Sequence, residues 1–223
     1  MKDNRSTKLV ICSILVALLA IAAYNLAIFV KAAEPTEPHD ANALWTEPSE
    51  VEINNYTASP GDKFNVTVWL NLTDLSYVWQ TQLHFNTTYF NITNHGYTAG
   101  SVSDFFEGHS TIPVSPIIDY VQGFVLYGES LIGADSREAG YGSLMWAEFN
   151  LTEVPDQNHL TINFSTPYGG DTFILNPDLE TVSMGEVGGT EIPIIPEFAQ
   201  LVLLFIAAIA SATSVVLTKK LKH

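Results

Sequence analysis

Cysteine is almost absent from this 223-residue chain, and the single one, Cys12, lies in an apolar run near the N-terminus. The remainder can form no disulfide, thiolate metal site or cysteine nucleophile. Basic residues are nearly as scarce. Between Glu34 and Glu197 only Lys63 and Arg137 stand against 23 acidic residues, so that stretch carries about −21 of charge. Such a surface repels nucleic acid phosphates and anionic headgroups, which argues against both as partners, and it attracts divalent cations. Missing too is any sustained helical period between the two ends of the chain.

What the middle has instead is period two. From Phe64 to Leu72 the apolar residues Phe64, Val66, Val68, Leu70 and Leu72 alternate with Asn65, Thr67 and Asn71, with Trp69 the exception. Trp79, Leu83 and Phe85 then alternate with Gln80, Gln82, His84 and Asn86. Each run reads as a strand with one wet face, and strands of this kind bury their apolar sides only if a second sheet covers them. Further strands are predicted at Glu50 to Tyr56, with Val51 and Ile53 inward, and at 117–120, 123–127, 143–151 and 160–164. Shorter ones are predicted at 172–175 and 181–184. Phe105 and Phe106 mark a loop pinned to the core by its aromatics, and 128–142 reads as a long polar loop. Eight or nine short strands make an all-β antiparallel sandwich of jelly-roll type.

The ends are of another kind. Lys2, Arg5 and Lys8 precede an apolar stretch from Leu9 to Val30, so residues 1–33 read as a signal peptide, cleaved after Ala32 or Ala33, or as a signal anchor helix. Residues 34–48, rich in Pro and Glu, read as a linker, 49–186 as the sandwich and 187–197 as a stalk. Residues 198–218 are apolar over roughly 31 Å of helix, enough for a transmembrane span, and the basic tail 219–223 places that end in the cytoplasm. The sandwich is then expected at the cell surface, outside the membrane.

Asn-x-Ser/Thr glycosylation sequons begin at Asn55, Asn65, Asn71, Asn86, Asn91, Asn150 and Asn163. All but Asn55 take the outward phase of their own strand. A bulky sugar requires that phase, so the strand reading and the glycosylation reading agree.

Catalytic patterns are weak. Gly128-Glu129-Ser130-Leu131-Ile132-Gly133 has the wrong spacing for a serine hydrolase elbow. Asp119, Glu129 and Glu148 are the carboxylates from which a glycosidase pair could be drawn, in a chain where surface carboxylates abound. His84, His95, His109 and His159 have no ligand spacing and read as exposed strand and loop residues. For calcium, Asp135 and Glu138 in one loop and Asn176, Asp178 and Glu180 in another offer oxygen ligands, though neither matches a twelve-residue calcium loop. No cofactor beyond such a calcium ion is expected.

Two resemblances add to this reading. Pro60-Gly61-Asp62 leading into FNVTVWLNL, the strand VWQTQLHFN with TYFNIT, Gly142-Ser143-Leu144-Met145 leading into WAEFNL, and LTINFS followed by a polar loop together resemble cohesin domains. These are the sandwich modules of cellulosome scaffoldins and of many archaeal surface proteins. The resemblance implies a docking face for a calcium-loaded dockerin on the sheet containing Tyr77 to Asn86, where Gln80, Gln82 and His84 form the wet side. Pro196-Glu197-Phe198 before the terminal apolar run resembles the PEF-type sorting signals of archaeal surface proteins, which a membrane sorting protease processes.

The function expected is a non-catalytic surface module that recognises a dockerin-like protein or a polysaccharide at the envelope. The alternatives are a purely structural glycosylated envelope component and a polysaccharide-active enzyme. Mass spectrometry of the native protein is expected to find sugar on Asn65, Asn71 or Asn86; unmodified peptides at all three would contradict the glycosylation reading.

Overall fold

The computed structural model describes residues 42–195, apart from 56, 99–103, 134, 138, 166–167 and 169, and the described residues fall in one compact unit. The expected N-terminal signal or anchor helix, the C-terminal transmembrane helix with its basic tail, and Pro196-Glu197-Phe198 lie outside the described residues. Among the described residues no helix is long and apolar enough to cross a membrane.

Thirteen strands are described: β1 (Ala43–Glu47), β2 (Ile53–Asn54), β3 (Lys63–Leu72), β4 (Val78–His84), β5 (Phe90–Tyr97), β6 (Thr111–Pro113), β7 (Ile117–Asp119), β8 (Phe124–Leu131), β9 (Gly140–Leu151), β10 (His159–Phe164), β11 (Phe173–Leu175), β12 (Glu186–Gly188) and β13 (Thr190–Ile195). They form two sheets, one in the order β12-β1-β3-β9-β5 and the other in the order β2-β13-β10-β4-β8-β6, with β11 paired to β4 and β7 to β8. The all-β sandwich expected from the sequence is therefore present. The strands β3 and β4, consecutive in sequence, belong to opposite sheets and press their apolar phases together.

Alternation fixes which side of each strand meets the core. On β3, Val66, Val68 and Leu70 are fully buried while Lys63 and Asn65 are exposed. On β9, Met145, Ala147, Phe149 and Leu151 are buried while Trp146, Glu148 and Asn150 are half-buried on the other side. Phe149 sits at the centre of one end of the core. Its ring lies 5.6 Å from Phe64, 6.4 Å from Phe90 and 5.4 Å from Phe85, and the last contact crosses from one sheet to the other. At the other end Trp79 meets Tyr97 edge-on at 5.9 Å and Tyr97 meets Tyr127 at 4.7 Å. Phe105 and Phe106 are fully buried, so the loop carrying them is pinned as expected.

Several boundaries differ from the sequence reading. The segment read as linker contains β1, and the segment read as stalk contains β13 and part of β12. In β1, Ala43, Leu44, Trp45 and Thr46 are all buried, so no alternation marks it. In β13, Pro193 interrupts the apolar pattern. The two segments are stitched together by Thr46 Oγ1 and Thr190 Oγ1 at 2.8 Å, with Thr190 Oγ1 donating to the Pro48 carbonyl at 2.8 Å. The expected strand at 50–56 shrinks to β2, and 181–184 supplies only a bridge from Thr181 to Leu175. The strand count exceeds eight or nine because β2, β6, β7, β11 and β12 have two or three residues each, too few to show a period. The sheets are also not wholly antiparallel, since β1 pairs with β12 and β13 with β2 in parallel.

The loop expected at 128–142 is shortened from both sides, because β8 continues to Leu131 and β9 begins at Gly140. Its early residues therefore keep the strand's phase, and Glu129 points inward with Val125, Tyr127 and Leu131. This carboxylate is only 2% exposed. Burial raises its pKa above the usual value of 4.5, the nearby Asp104 pushes the same way, and hydrogen bonds from Thr111 and Trp79 oppose both.

Two outcomes are expected. Phe149→Ala removes the ring shared by both sheets and is expected to lower unfolding free energy by about 3–5 kcal/mol in denaturant titrations. Glu129 has a raised folded-state pKa, so its unfavourable contribution is absent below pH 4.5 and grows as pH rises through the folded value. The stability of Glu129→Gln relative to the parent is therefore expected to improve from acid to neutral pH; parallel pH curves would contradict it.

Candidate protein-docking face

The outer face of the sheet β4-β8-β6 is a grid set by register. Gln82 lies opposite Leu126 and Leu126 opposite Ile117. His84 lies opposite Phe124 and Phe124 opposite Asp119. Gln80 lies opposite Gly128, over which Val114 packs through its backbone bond to the Gly128 carbonyl at 2.8 Å. Val78 lies opposite Ser130 and Ser130 opposite Ile112. The result is a polar row on β4 beside a continuous apolar stripe formed by Ile112, Val114, Ile117, Leu126 and Phe124.

The stripe is open. Ile112 is 58% exposed, Val114 44% and Ile117 51%, while Leu126 and Phe124 are half-buried. A run of exposed aliphatic groups on one sheet face is unusual for a surface that otherwise carries so much charge. Gly128 matters to its shape. A Cβ there would come within 3.1 Å of the Trp79 carbonyl oxygen and 3.4 Å of Val114 Cγ2, so glycine lets the 111–114 segment lie flat against β8.

The three residues expected on the wet side of β4 are brought together. Their exposure differs from the expectation, since Gln82 is only 6% exposed. Its amide nitrogen donates to His84 Nε2 at 2.9 Å, and the His84 ring lies 5.9 Å from Phe124. Gln80 donates from Nε2 to the Asp171 carbonyl at 2.9 Å. The polar row is thus a pre-ordered rim, and the exposed area belongs to the apolar stripe beside it. Beyond His84 the sheet opens into a shallow groove of about 500 Å3 whose lining includes Asn86, Gln157, His159 and Asn163. Sequence reasoning missed the stripe because Ile112 and Val114 lie in a stretch broken by Pro113 and Pro116, and only their pairing with β8 shows the side they take.

The remaining candidates are scattered. Asp119 accepts from the Val121 and Gln122 amides and closes the β7–β8 turn. Glu129 is inside the core. Glu148 stands on the outer face of the opposite sheet, where Lys63 Nζ at 2.8 Å and the Thr93 hydroxyl hold its carboxyl below the ordinary value. One of these carboxylates is in the core and the other two are on the outer faces of opposite sheets, so no pair of them flanks a common substrate position. Ser130 lies within β8, not in a loop, and its hydroxyl donates to the Leu131 carbonyl at 3.0 Å.

Of the calcium candidates, Asp135 accepts from Ser136 N and pairs with His109 at 2.8 Å, which lowers its pKa. Glu138 lies outside the described residues. Asn176 spends its side-chain oxygen on the Glu180 amide at 2.9 Å, and Asp178 and Glu180 stay exposed on that turn. No cluster of three or more His, Cys, Asp or Glu placed to hold a metal ion is found among the described residues. Of the four histidines expected to be exposed, His159 is exposed and the other three are half-buried; His95 bonds the Tyr127 hydroxyl and His159 pairs with Glu191 at 2.7 Å.

The sequon asparagines divide by sheet. Asn65, Asn71, Asn91 and Asn150 lie on the outer face of the sheet β1-β3-β9-β5, and Asn150 Nδ2 donates to Asn91 Oδ1 at 3.0 Å. Asn86 caps the turn after β4 by accepting from the Thr88 amide, and Asn163 stands opposite His84. Asn55 has its side-chain oxygen buried without a hydrogen-bond partner.

No protein-family model and no curated protein matches the sequence. Solved structures do match the fold. The second type II cohesin module of the adaptor scaffoldin ScaA of Acetivibrio cellulolyticus is 16% identical, with a TM-score of 0.50 over 69% of this chain and 91% of that one. A cohesin in a type I cohesin–dockerin complex from Clostridium thermocellum is 13% identical over 69% of this chain and 100% of that one, with a TM-score of 0.49. The non-cellulosomal cohesin of the archaeon Archaeoglobus fulgidus is 14% identical over 71% and 94%, with a TM-score of 0.47. The described part of the chain has a sandwich fold similar to that of the cohesin modules.

Proposed function

We propose that this chain is a non-catalytic binding module of the cell surface, and that it docks a protein partner through the outer face of β4, β8, β6 and β7. The observation that carries the proposal is the open stripe of Ile112, Val114 and Ile117, continued by the half-buried Leu126 and Phe124. Protein interfaces pair a dry apolar centre with a polar rim, and here the rim is Gln80, Gln82 and His84 on one side and Asp119 at the end. A rigid sheet with its polar side chains already bonded loses little conformational freedom on binding.

The sequence resemblance to cohesin domains implies a dockerin-like partner on the sheet that contains β4, and the stripe lies on that sheet. Asn163, one strand beyond His84, would hold any attached sugar at the margin of the face. A purely structural envelope component is the second reading, in which the same stripe meets another copy of the chain.

The test compares the full chain with Ile112→Glu and Ile117→Glu. Both variants place a carboxylate in the apolar stripe without touching the core. Binding to the protein recovered from the native envelope with the parent chain is expected to weaken by roughly tenfold or more, while Thr67→Ala on the opposite sheet leaves it unchanged. Equal binding by all four proteins would overturn the docking face. Concentration-dependent self-association of the parent, abolished by Ile117→Glu, would favour the structural reading.

A further inference from the structure

Three of the chain's four tryptophans, Trp45, Trp69 and Trp146, take the outward phase of the five-stranded sheet, where Trp45 is buried and the other two are half-buried. The alternation that buries Val66, Val68, Leu70 and Leu72 turns Asn65, Thr67, Trp69 and Asn71 outward. Trp45 is the direct partner of Trp69 on β1, and Tyr141 is the direct partner of Asn71 on β9. The rings form a row across three strands, with Trp45 and Trp69 6.5 Å apart at 18° and Trp69 and Tyr141 6.2 Å apart at 28°. Trp45 is anchored by a bond from its indole nitrogen to Glu47 Oε1 and is 4% exposed, whereas Tyr141 at the other end of the row is 59% exposed.

Large aromatic rings are rarely left on the water side of a sheet unless something covers them. The neighbours on this face say what that is. Asn71 lies on the same outer face, two residues from Trp69 on its own strand and directly across from Tyr141. Its third-position partner, Thr73, completes a sequon, and directly opposed side chains in a sheet lie about 4.5–5.5 Å apart at Cβ. A pyranose joined to the Asn71 amide nitrogen is wide enough to reach both rings. One face of such a ring is lined with C–H bonds, and that face seats on an aromatic plane while the hydroxyls on its edge stay in water.

We infer that Trp69 and Tyr141, backed by the covered ring of Trp45, form a stacking platform for the first sugar of the chain's own N-linked glycan at Asn71. The face is suited to it in other ways. Asn65 is a second outward sequon on the same strand, and Asn91 and Asn150 are two more at the far end. Asn91 and Asn150 are joined to each other by the bond from Asn150 Nδ2 to Asn91 Oδ1. Asn71 is the sequon of this face that is paired directly with an aromatic residue, Tyr141, and stands one outward position from Trp69. The glycan then covers the Trp69 and Tyr141 end of the five-stranded sheet. This inference rests on export of the chain and on no property of its docking partner.

The test uses the native glycoprotein. Glycopeptide mass spectrometry is expected to find Asn71 occupied. Hydroxyl-radical footprinting then reads the oxidation rates of Trp69 and Tyr141 in the parent, in Asn71→Gln, which lacks the attachment nitrogen, and in Thr73→Ser, which keeps the sequon. Both rings are expected to oxidise several-fold faster in Asn71→Gln and at the parent's rate in Thr73→Ser. A bare Asn71 beside occupied Asn65 or Asn86 would overturn the inference while leaving export standing. No sugar on any sequon would overturn both. Occupied Asn71 with unchanged rates in Asn71→Gln would show that the sugar points away from the rings and would also overturn it.

Discussion

The contact on which this molecule depends is the meeting of Phe64, Phe85, Phe90 and Phe149 between the two sheets. Three of these rings come from the five-stranded sheet and Phe85 from the end of β4, so the cluster fixes both the spacing of the layers and the phase of each strand that enters it. Strand phase has no half measures, because a slip of one residue carries the whole set of side chains to the other face. Once Phe64 and Phe149 are inside, Asn65, Trp69, Asn71, Glu148 and Asn150 must be outside. Once Phe85 and Leu83 are inside, Gln80 and His84 must be outside. The two outer faces are therefore consequences of the core, and their chemistry is free to differ.

They do differ. One face presents Ile112, Val114 and Ile117 in the open beside a row of amides already held by internal bonds, an arrangement that rewards removal from water by another protein. The other presents Trp69 and Tyr141 among four sequon asparagines, where flat rings meet hydroxyl-rich and amide-rich neighbours. Acidic residues such as Asp74, Glu107, Asp178 and Glu180 lie in loops and turns, while Glu148 stands on one outer face and Asp119 at the end of the other. Two of the carboxylates considered for a glycosidase pair are held in structural bonds. Asp119 closes a turn and Glu148 is tied to Lys63 and Thr93.

Much of the sandwich was legible because its long strands alternate. Phe64 to Leu72 announced both its inward and outward residues, and Phe105-Phe106 announced a pinned loop in a stretch with no other pattern. Short strands were not legible. Ile53–Asn54 and Ile117–Asp119 are defined by what they pair with, which a sequence does not display. Ala43–Glu47 was hidden for the opposite reason, since a strand buried on both sides does not alternate, and Glu and Pro on either side of it resemble a linker. Of the candidate face, Gln80, Gln82 and His84 could be placed from period alone, but Ile112 and Val114 could not. Their side of the sheet follows from their pairing with β8, where Gly128 leaves room for Val114. The aromatic row escaped notice because Trp69 read as an exception to its strand's pattern, and its partners lie 24 residues before it and 72 after it in sequence.

The most direct measurement is a residue-level footprint of the protein in its own envelope compared with the same protein after extraction and purification. If one sheet docks a partner, Ile112, Val114, Ile117 and Leu126 are protected in the envelope and become reactive on extraction, with no comparable change on β3 and β9. Protection that is equal in the two states on β6, β7 and β8, or that is lost only from β3 and β9, would contradict the assignment of the docking face.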